Sequence, residues 1–204
     1  MRNETGRLEG FSDAVFAIAI TLLVLDLKVP PPGEPGLLGK LVFDHWREYL
    51  AFLTSFGTIG IGWMYHHELF TLIDRLDRRL LALNMLLLLA VVIVPFPTAV
   101  AAAYARHPDE KVAAMFHTGA FVMMAVAFGL LWRYASFRNR LVAPGVDPHL
   151  VRVLNWASVV GPMVYLASFF LATVSVLAST LLNGTLAVVF LILVPQPGGI
   201  RRSA

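Results

Sequence analysis

The sequence predicts an all-α integral membrane protein with six transmembrane helices in a single domain over residues 1–204. Three observations predict it. Of the 204 residues, 58% are hydrophobic and the mean hydropathy is +0.73, whereas globular domains average about 45–50% apolar residues. Charged residues make up only 14% of the chain, against about 25% in globular domains. Finally, apolar runs of about 20 residues, the length that crosses about 30 Å of hydrocarbon, recur between charge clusters and Pro/Gly breaks. A water-soluble enzyme of this size would have too little polar surface to stay dispersed. The absence of cysteine excludes a disulfide framework, a thiolate metal site and cysteine nucleophilic catalysis.

The spans follow in order. The first runs from Gly10 to Val29 and stops at Pro30-Pro31-Pro32-Gly33, which cannot continue a helix. The second covers Tyr49 to Phe70. The third covers Leu80 to Ala103, with Pro95 and Pro97 inside it as a kink, and the fourth covers Val112 to Tyr134. The stretch from Val153 to Val194 is too long for one crossing and needs a turn. Ser179 to Thr185, with Asn183-Gly184, offers one turn, and Ala172 to Ser175 offers another, which divides the stretch into 153–173 and 176–194. No cleaved signal peptide is expected, because the flank before the first span carries both signs of charge and no small-residue cleavage site follows.

Lysine and arginine should collect in the cytoplasmic loops. Arg2, Arg7, Arg75, Arg78, Arg79, Arg133, Arg138, Arg140, Arg152, Arg201 and Arg202 fall on one side of six crossings, and Lys28, Lys40, Arg47, Arg106 and Lys111 on the other. This eleven-to-five split places both termini in the cytoplasm. The same scatter among short loops argues against a nucleic-acid face.

Motifs for hydrolases, P-loops and dinucleotide sites are absent, as is the T-V-G-Y-G potassium filter. His66-His67-Glu68 adjoin one another, but neighbouring helical residues point about 100° apart and make no metal site alone. Asp13 is the informative residue, since a carboxylate at the start of a membrane helix needs a partner. Arg7 lies about 120° around the helix from it and cannot pair directly. Trp63, His66 and His67, near the same end of the second span, are the available partners, Trp63 and His67 sharing a face. They serve either as interfacial anchors or as a buried hydrogen-bond cluster. Gly57, Gly60 and Gly62, with Thr54 and Thr58, leave room for a close helix and favour the cluster.

Arg7-x-x-x-Phe11-Ser12-Asp13, followed by an Ala/Ile/Thr/Leu-rich helix and by Trp63-x-x-x-His67, resembles the R-x-x-x-F-S-D signature of the transmembrane protein 175 family. That family comprises the endolysosomal potassium channel and its bacterial relatives, and the chain resembles a bacterial member with one six-helix repeat. The resemblance implies a homotetramer in the cell membrane, conducting potassium through a pore lined by the first helix of each subunit. It places the main constriction at Ile18, a polar layer at Thr21 and further apolar layers at Leu22 and Leu25. These lie about 60°, 40° and 20° from Ile18 on a helical wheel, one stripe, with Asp13 about 140° away. Asp26, with Lys28 two residues on, stands at the outer mouth as a weak cation attractor. Arg7, Phe11, Ser12, Asp13, Trp63 and His67 are then a packing network. No cofactor, metal or nucleic-acid partner is implied; the partners are the bilayer, potassium ions and three further copies. The alternatives from other classes are a small proton-coupled transporter, with Asp13 and His67 as a relay, and a non-conducting scaffold.

Six crossings predict that reporters fused near Gly36 and at Ala204 fall on opposite sides of the membrane. Activity of both reporters on one side would contradict the topology.

Overall fold

The computed structural model describes residues 2–27 and 37–193, and over them the regular elements are helices joined by short loops and turns. Helix α1, Arg2–Leu22, starts well before the apolar run and tightens into a 3-10 turn, Leu23–Asp26. Arg7 and Glu9 therefore belong to the same rod as Asp13. The polyproline stop at Pro30 and Lys28 lie outside the described residues, as does the side chain of Asp26. The connection expected between the first two spans includes an eight-residue helix, α2, Leu37–Asp44. After His45 the chain enters α3, Trp46–Leu72.

Between α3 and α4, Arg78–Ile93, the chain is stapled to the loop that follows the fourth span. Ile73 bridges Val142, the Asp74 amide donates to the Leu141 carbonyl at 2.9 Å and the Ala143 amide to Leu72 at 2.8 Å. Asp77 starts α4 by accepting the Leu80 amide at 2.8 Å and the Tyr134 hydroxyl at 2.6 Å. Partial desolvation works against its ionisation. The hydrogen bonds from Tyr134, Leu80 and Arg79 together outweigh that and hold the carboxyl below its usual range.

The proline kink is a true break. Pro95 has no N–H for the Val91 carbonyl, so the Val94 amide takes that acceptor at 3.2 Å and a separate helix, α5, Pro95–Ala103, begins. Helices α6, Glu110–Ser136, and α7, Pro148–Val174, follow. Asp147 caps α7 through the His149 amide at 2.8 Å. The chain breaks at Ser175 and resumes as α8, Val176–Leu193, while Asn183 and Gly184 stay helical. Reciprocal bonds lock this hairpin: the Ser168 hydroxyl reaches the Ser179 carbonyl at 3.1 Å and the Ser179 hydroxyl the Ser168 carbonyl at 2.9 Å.

Among the described residues four helical stretches are long and apolar enough to cross a bilayer: Thr5–Leu25, Arg78–Ala103, Glu110–Asn139 and Pro148–Val174. Helix α3 has the length, but its glycines, hydroxyls and histidines dilute its apolarity. Helix α8 is apolar but short. Helix α6 runs through the centre, packed against α4 and α7, with Phe121, Leu131 and Trp132 buried against core that includes Leu80, Leu87 and Val91.

The α6–α7 seam is the most extensive helix contact and depends on Gly129. A Cβ there would lie 2.7 Å from the Ser158 carbonyl oxygen, which Pro162, lacking an N–H, leaves without its usual helical donor. At Gly119 an added Cβ would meet only the Phe169 ring at 3.6 Å. Gly129→Ala is therefore expected to destabilise by about 1–3 kcal/mol, the cost of overpacking, and Gly119→Ala by less. Thermal unfolding of the purified variants in detergent checks the order.

Candidate functional site

Helix α1 has two unlike faces. Ser12, Phe16, Ala19 and Leu23, spaced four, three and four residues apart, are at most 1% exposed and face the bundle. Phe11, Ile18, Thr21, Leu22 and Leu25 form the opposite, exposed side, with Ile18 58% and Leu25 74% exposed.

The buried face is pinned by a hydrogen-bond chain with one direction. The Ser12 hydroxyl donates to the Leu8 carbonyl at 2.9 Å, so its oxygen accepts the Asn84 amide at 3.0 Å. With its NH2 group committed, Asn84 offers its oxygen to His66 Nε2 at 2.9 Å, which must then carry the proton. Three helices meet there. His66 is 1% exposed, its ring centre lies 4.4 Å from that of Phe70, on which it stacks, and 5.5 Å from that of Phe16, and its Nδ1 has no hydrogen-bond partner among the described residues. Gly62 makes the approach possible, since a Cβ there would lie 3.6 Å from the Phe16 ring and 3.3 Å from Met124.

A second pin lies one residue along. The Trp63 indole N–H donates to Asp13 at 2.9 Å, across from α3 to α1. The buried face of α3 is Gly62, His66, Leu69 and Phe70, which leaves His67 exposed. His67 makes no hydrogen bond among the described residues and lies within electrostatic range of Glu9 and His66. Of the expected pair, then, Trp63 reaches α1 and His67 does not; the inward histidine is its neighbour. Arg7 and Phe11 are exposed, and Arg7 forms no ion pair among the described residues. Sequence reasoning missed Asn84. The available signal was an amide in the middle of the apolar run from Leu80 to Ile93.

A second buried network follows the same rule. The Thr98 hydroxyl donates to the Val94 carbonyl at 2.8 Å, so Ser55 donates to Thr98 at 2.8 Å and His117 Nε2 to Ser55 at 2.7 Å. This ties α3, α5 and α6. Among the described residues no three His, Asp or Glu side chains gather as a metal site.

These features define a polytopic α-helical membrane protein whose first helix is pinned by a hydrogen bond at Ser12 on its buried face and presents an apolar stripe outward. The chain belongs to the TMEM175 family, whose members are ion channels rather than enzymes. The family model described as endosomal/lysosomal potassium channel TMEM175 matches residues 7–95. A potassium channel of Chamaesiphon minutus is 44% identical over 192 residues, covering 93% of this chain and 94% of the relative. One from Streptomyces collinus is 41% identical over 189 residues, covering 92% of each. The crystal structure of a lysosomal potassium-selective channel TMEM175 homolog from Chamaesiphon minutus superposes with a TM-score of 0.83 at 40% identity, covering 95% of this chain and all of that one.

Asn84→Ala would strand the buried His66 Nε2–H, at about 1–3 kcal/mol, and remove the donor to the Ser12 oxygen, while the Ser12 hydroxyl keeps its bond to the Leu8 carbonyl. Trp63→Phe removes one bond at a half-exposed site, worth about 0.6 kcal/mol by the average for interhelical bonds in membranes. Unfolding temperatures in detergent should therefore fall much further for Asn84→Ala, and equal losses would count against the chain as the main pin.

Proposed function

We propose that the protein is a potassium-permeable cation channel of the cell membrane, formed by four copies around a pore lined by α1. The near full-length likeness to named potassium channels supports the class. The observation that carries the pore assignment is the exposed apolar stripe of α1, Ile18, Leu22 and Leu25, set opposite the face that Ser12 pins.

The chain crosses the membrane six times in this reading, through α1, α3, the broken α4–α5 pair, α6, α7 and α8. At about 1.5 Å per residue the 27 residues of α3 are longer than the hydrocarbon core, and the 18 of α8 nearly match it. Both termini are cytoplasmic by the arginine distribution. Fourfold symmetry turns each pore-facing side chain into a ring. A ring of Ile18 closes by excluding water, since an ion crossing it would have to shed its hydration without compensation. Leu22 and Leu25 add apolar rings. The Thr21 hydroxyl donates its proton back to the Ile18 carbonyl at 2.9 Å, which leaves oxygen lone pairs to face a cation. Selectivity then arises from partial dehydration at Ile18 and from the Thr21 oxygens. Asp13 and His67 share neither a hydrogen bond nor an ion pair, so a proton relay through them gains no support.

Ile18→Asn would line the constriction with four amides that hydrogen-bond water. It is expected to raise conductance or open probability and weaken potassium over sodium preference in planar-bilayer recordings. Ala17→Asn, about 100° around the helix, serves as the control. Currents that respond to the Ala17 change while Ile18→Asn matches the parent would mean that another face or helix lines the pore.

A further inference from the structure

We propose that Arg7 continues the outward stripe of α1 and, repeated in four copies, stands as a ring of guanidinium groups at the cytoplasmic mouth of the pore, where it weakens outward potassium current relative to inward current. The inference rests on the pore reading of α1.

The stripe does not end at Ile18. Toward the N-terminus, Ala14, Phe11 and Arg7 lie about 40°, 20° and 20° from it on a helical wheel, and all three are exposed. Helix α1 begins at Arg2, so Arg7 belongs to the same rod and the wheel applies to it. Glu9, Ser12, Asp13 and Phe16, all about 120° or more from Ile18, are half-buried or buried.

From Arg7 to Leu25, Arg7 is the one charged side chain on the stripe. The acidic residues nearby do not cancel it: Glu9 stands about 180° from Ile18, Asp13 accepts the Trp63 indole at 2.9 Å, and Arg7 forms no ion pair among the described residues. The resemblance implied a packing role for Arg7, and the structure gives it no packing partner of opposite charge.

Arg7 lies eleven residues before Ile18, about 16 Å along the axis. The ring therefore stands outside the constriction and acts on the local ion concentration, not on dehydration. Four positive charges deplete potassium at the cytoplasmic entrance and slow entry from that side, whereas ions arriving from outside have already passed Ile18 when they meet the ring. The effect is screened by salt, since the Debye length falls from about 10 Å at about 0.1 M to about 3 Å at about 1 M.

Single-channel currents of the full-length protein in inside-out patches, with matched potassium chloride on both sides, test it. At the lower salt the inward current of the parent should exceed the outward by about twofold, and at the higher salt the two should become equal. Arg7→Lys should keep the asymmetry and Arg7→Gln should abolish it, both with potassium over sodium preference unchanged. The chain has no cysteine, so in Arg7→Cys a thiol reagent reacts at that position alone. From the cytoplasmic side, a trimethylammonium methanethiosulfonate should restore the asymmetry and a sulfonate one should reverse it, a dependence on sign that a packing role would not produce. Equal inward and outward currents of the parent at low salt, or an asymmetry that survives high salt, would overturn the proposal, and this measurement needs no variant to fold. If Ile18→Asn alters conduction while Arg7→Gln leaves the asymmetry intact, the ring is refuted and the pore reading stands; if neither variant changes the currents, both fall.

Discussion

The bond from Asn84 to Ser12 is the constraint on which the arrangement of α1 depends. In a bilayer, helices gain little from burying apolar surface against each other, because lipid is as apolar as they are. What holds a helix at a particular rotation is a polar contact whose loss leaves a donor or acceptor stranded. The chain His66, Asn84, Ser12 and the Leu8 carbonyl uses each donor once and ends on a backbone oxygen. Rotating α1 by one residue would put Phe11 or Asp13 where Ser12 stands and break the bond from the Asn84 amide to the Ser12 hydroxyl. The exposed stripe of Ile18, Leu22 and Leu25 is thus set by a contact on the opposite side of the helix.

The two buried networks share one grammar. Each begins at a histidine stacked on or edged against a phenylalanine four residues later, His66 with Phe70 and His117 with Phe121. Each ends at a serine or threonine that returns its proton to the carbonyl four residues back, Ser12 to Leu8 and Thr98 to Val94. On α4 the buried side chains between them are the apolar Leu87, Leu88, Ala90 and Val91, so the networks are separate pins and do not join into a wire. Both use α3, whose polarity is the cost of fastening α1 at one end and α5 at the other.

Small residues supply the complementary half of the packing. Gly62 admits Phe16 and Met124 beside α3, a Cβ on Gly57 would lie 3.6 Å from Ala187 of α8, and Gly129 receives the Ser158 carbonyl freed by Pro162. Where small side chains are not met by a partner, as around Ala157, a cleft between α3, α6 and α7 remains.

The sequence by itself determined the solvent, the helical class, a kink at Pro95 and Pro97, and Asp13 as a residue in need of a partner, with Trp63, His66 and His67 on offer. These follow from local rules: apolar run length, a missing N–H, and the penalty for a lone carboxylate in lipid. The family resemblance marked Ile18, and helical periodicity, which needs no neighbour to be read, set Thr21, Leu22 and Leu25 on the same stripe. Only the tertiary structure decided that His66 rather than His67 faces inward, because two adjacent histidines differ in the rotation of α3 and in nothing local. It likewise decided that Asn84, in the middle of its apolar run, connects His66 to Ser12, and that the last hairpin turns at Ser175 rather than at Asn183-Gly184. The Asn-Gly pair carries a strong turn signal, but Ser168 and Ser179 bond each other's carbonyls only if the chain reverses between them, and those bonds join residues whose pairing no local pattern records.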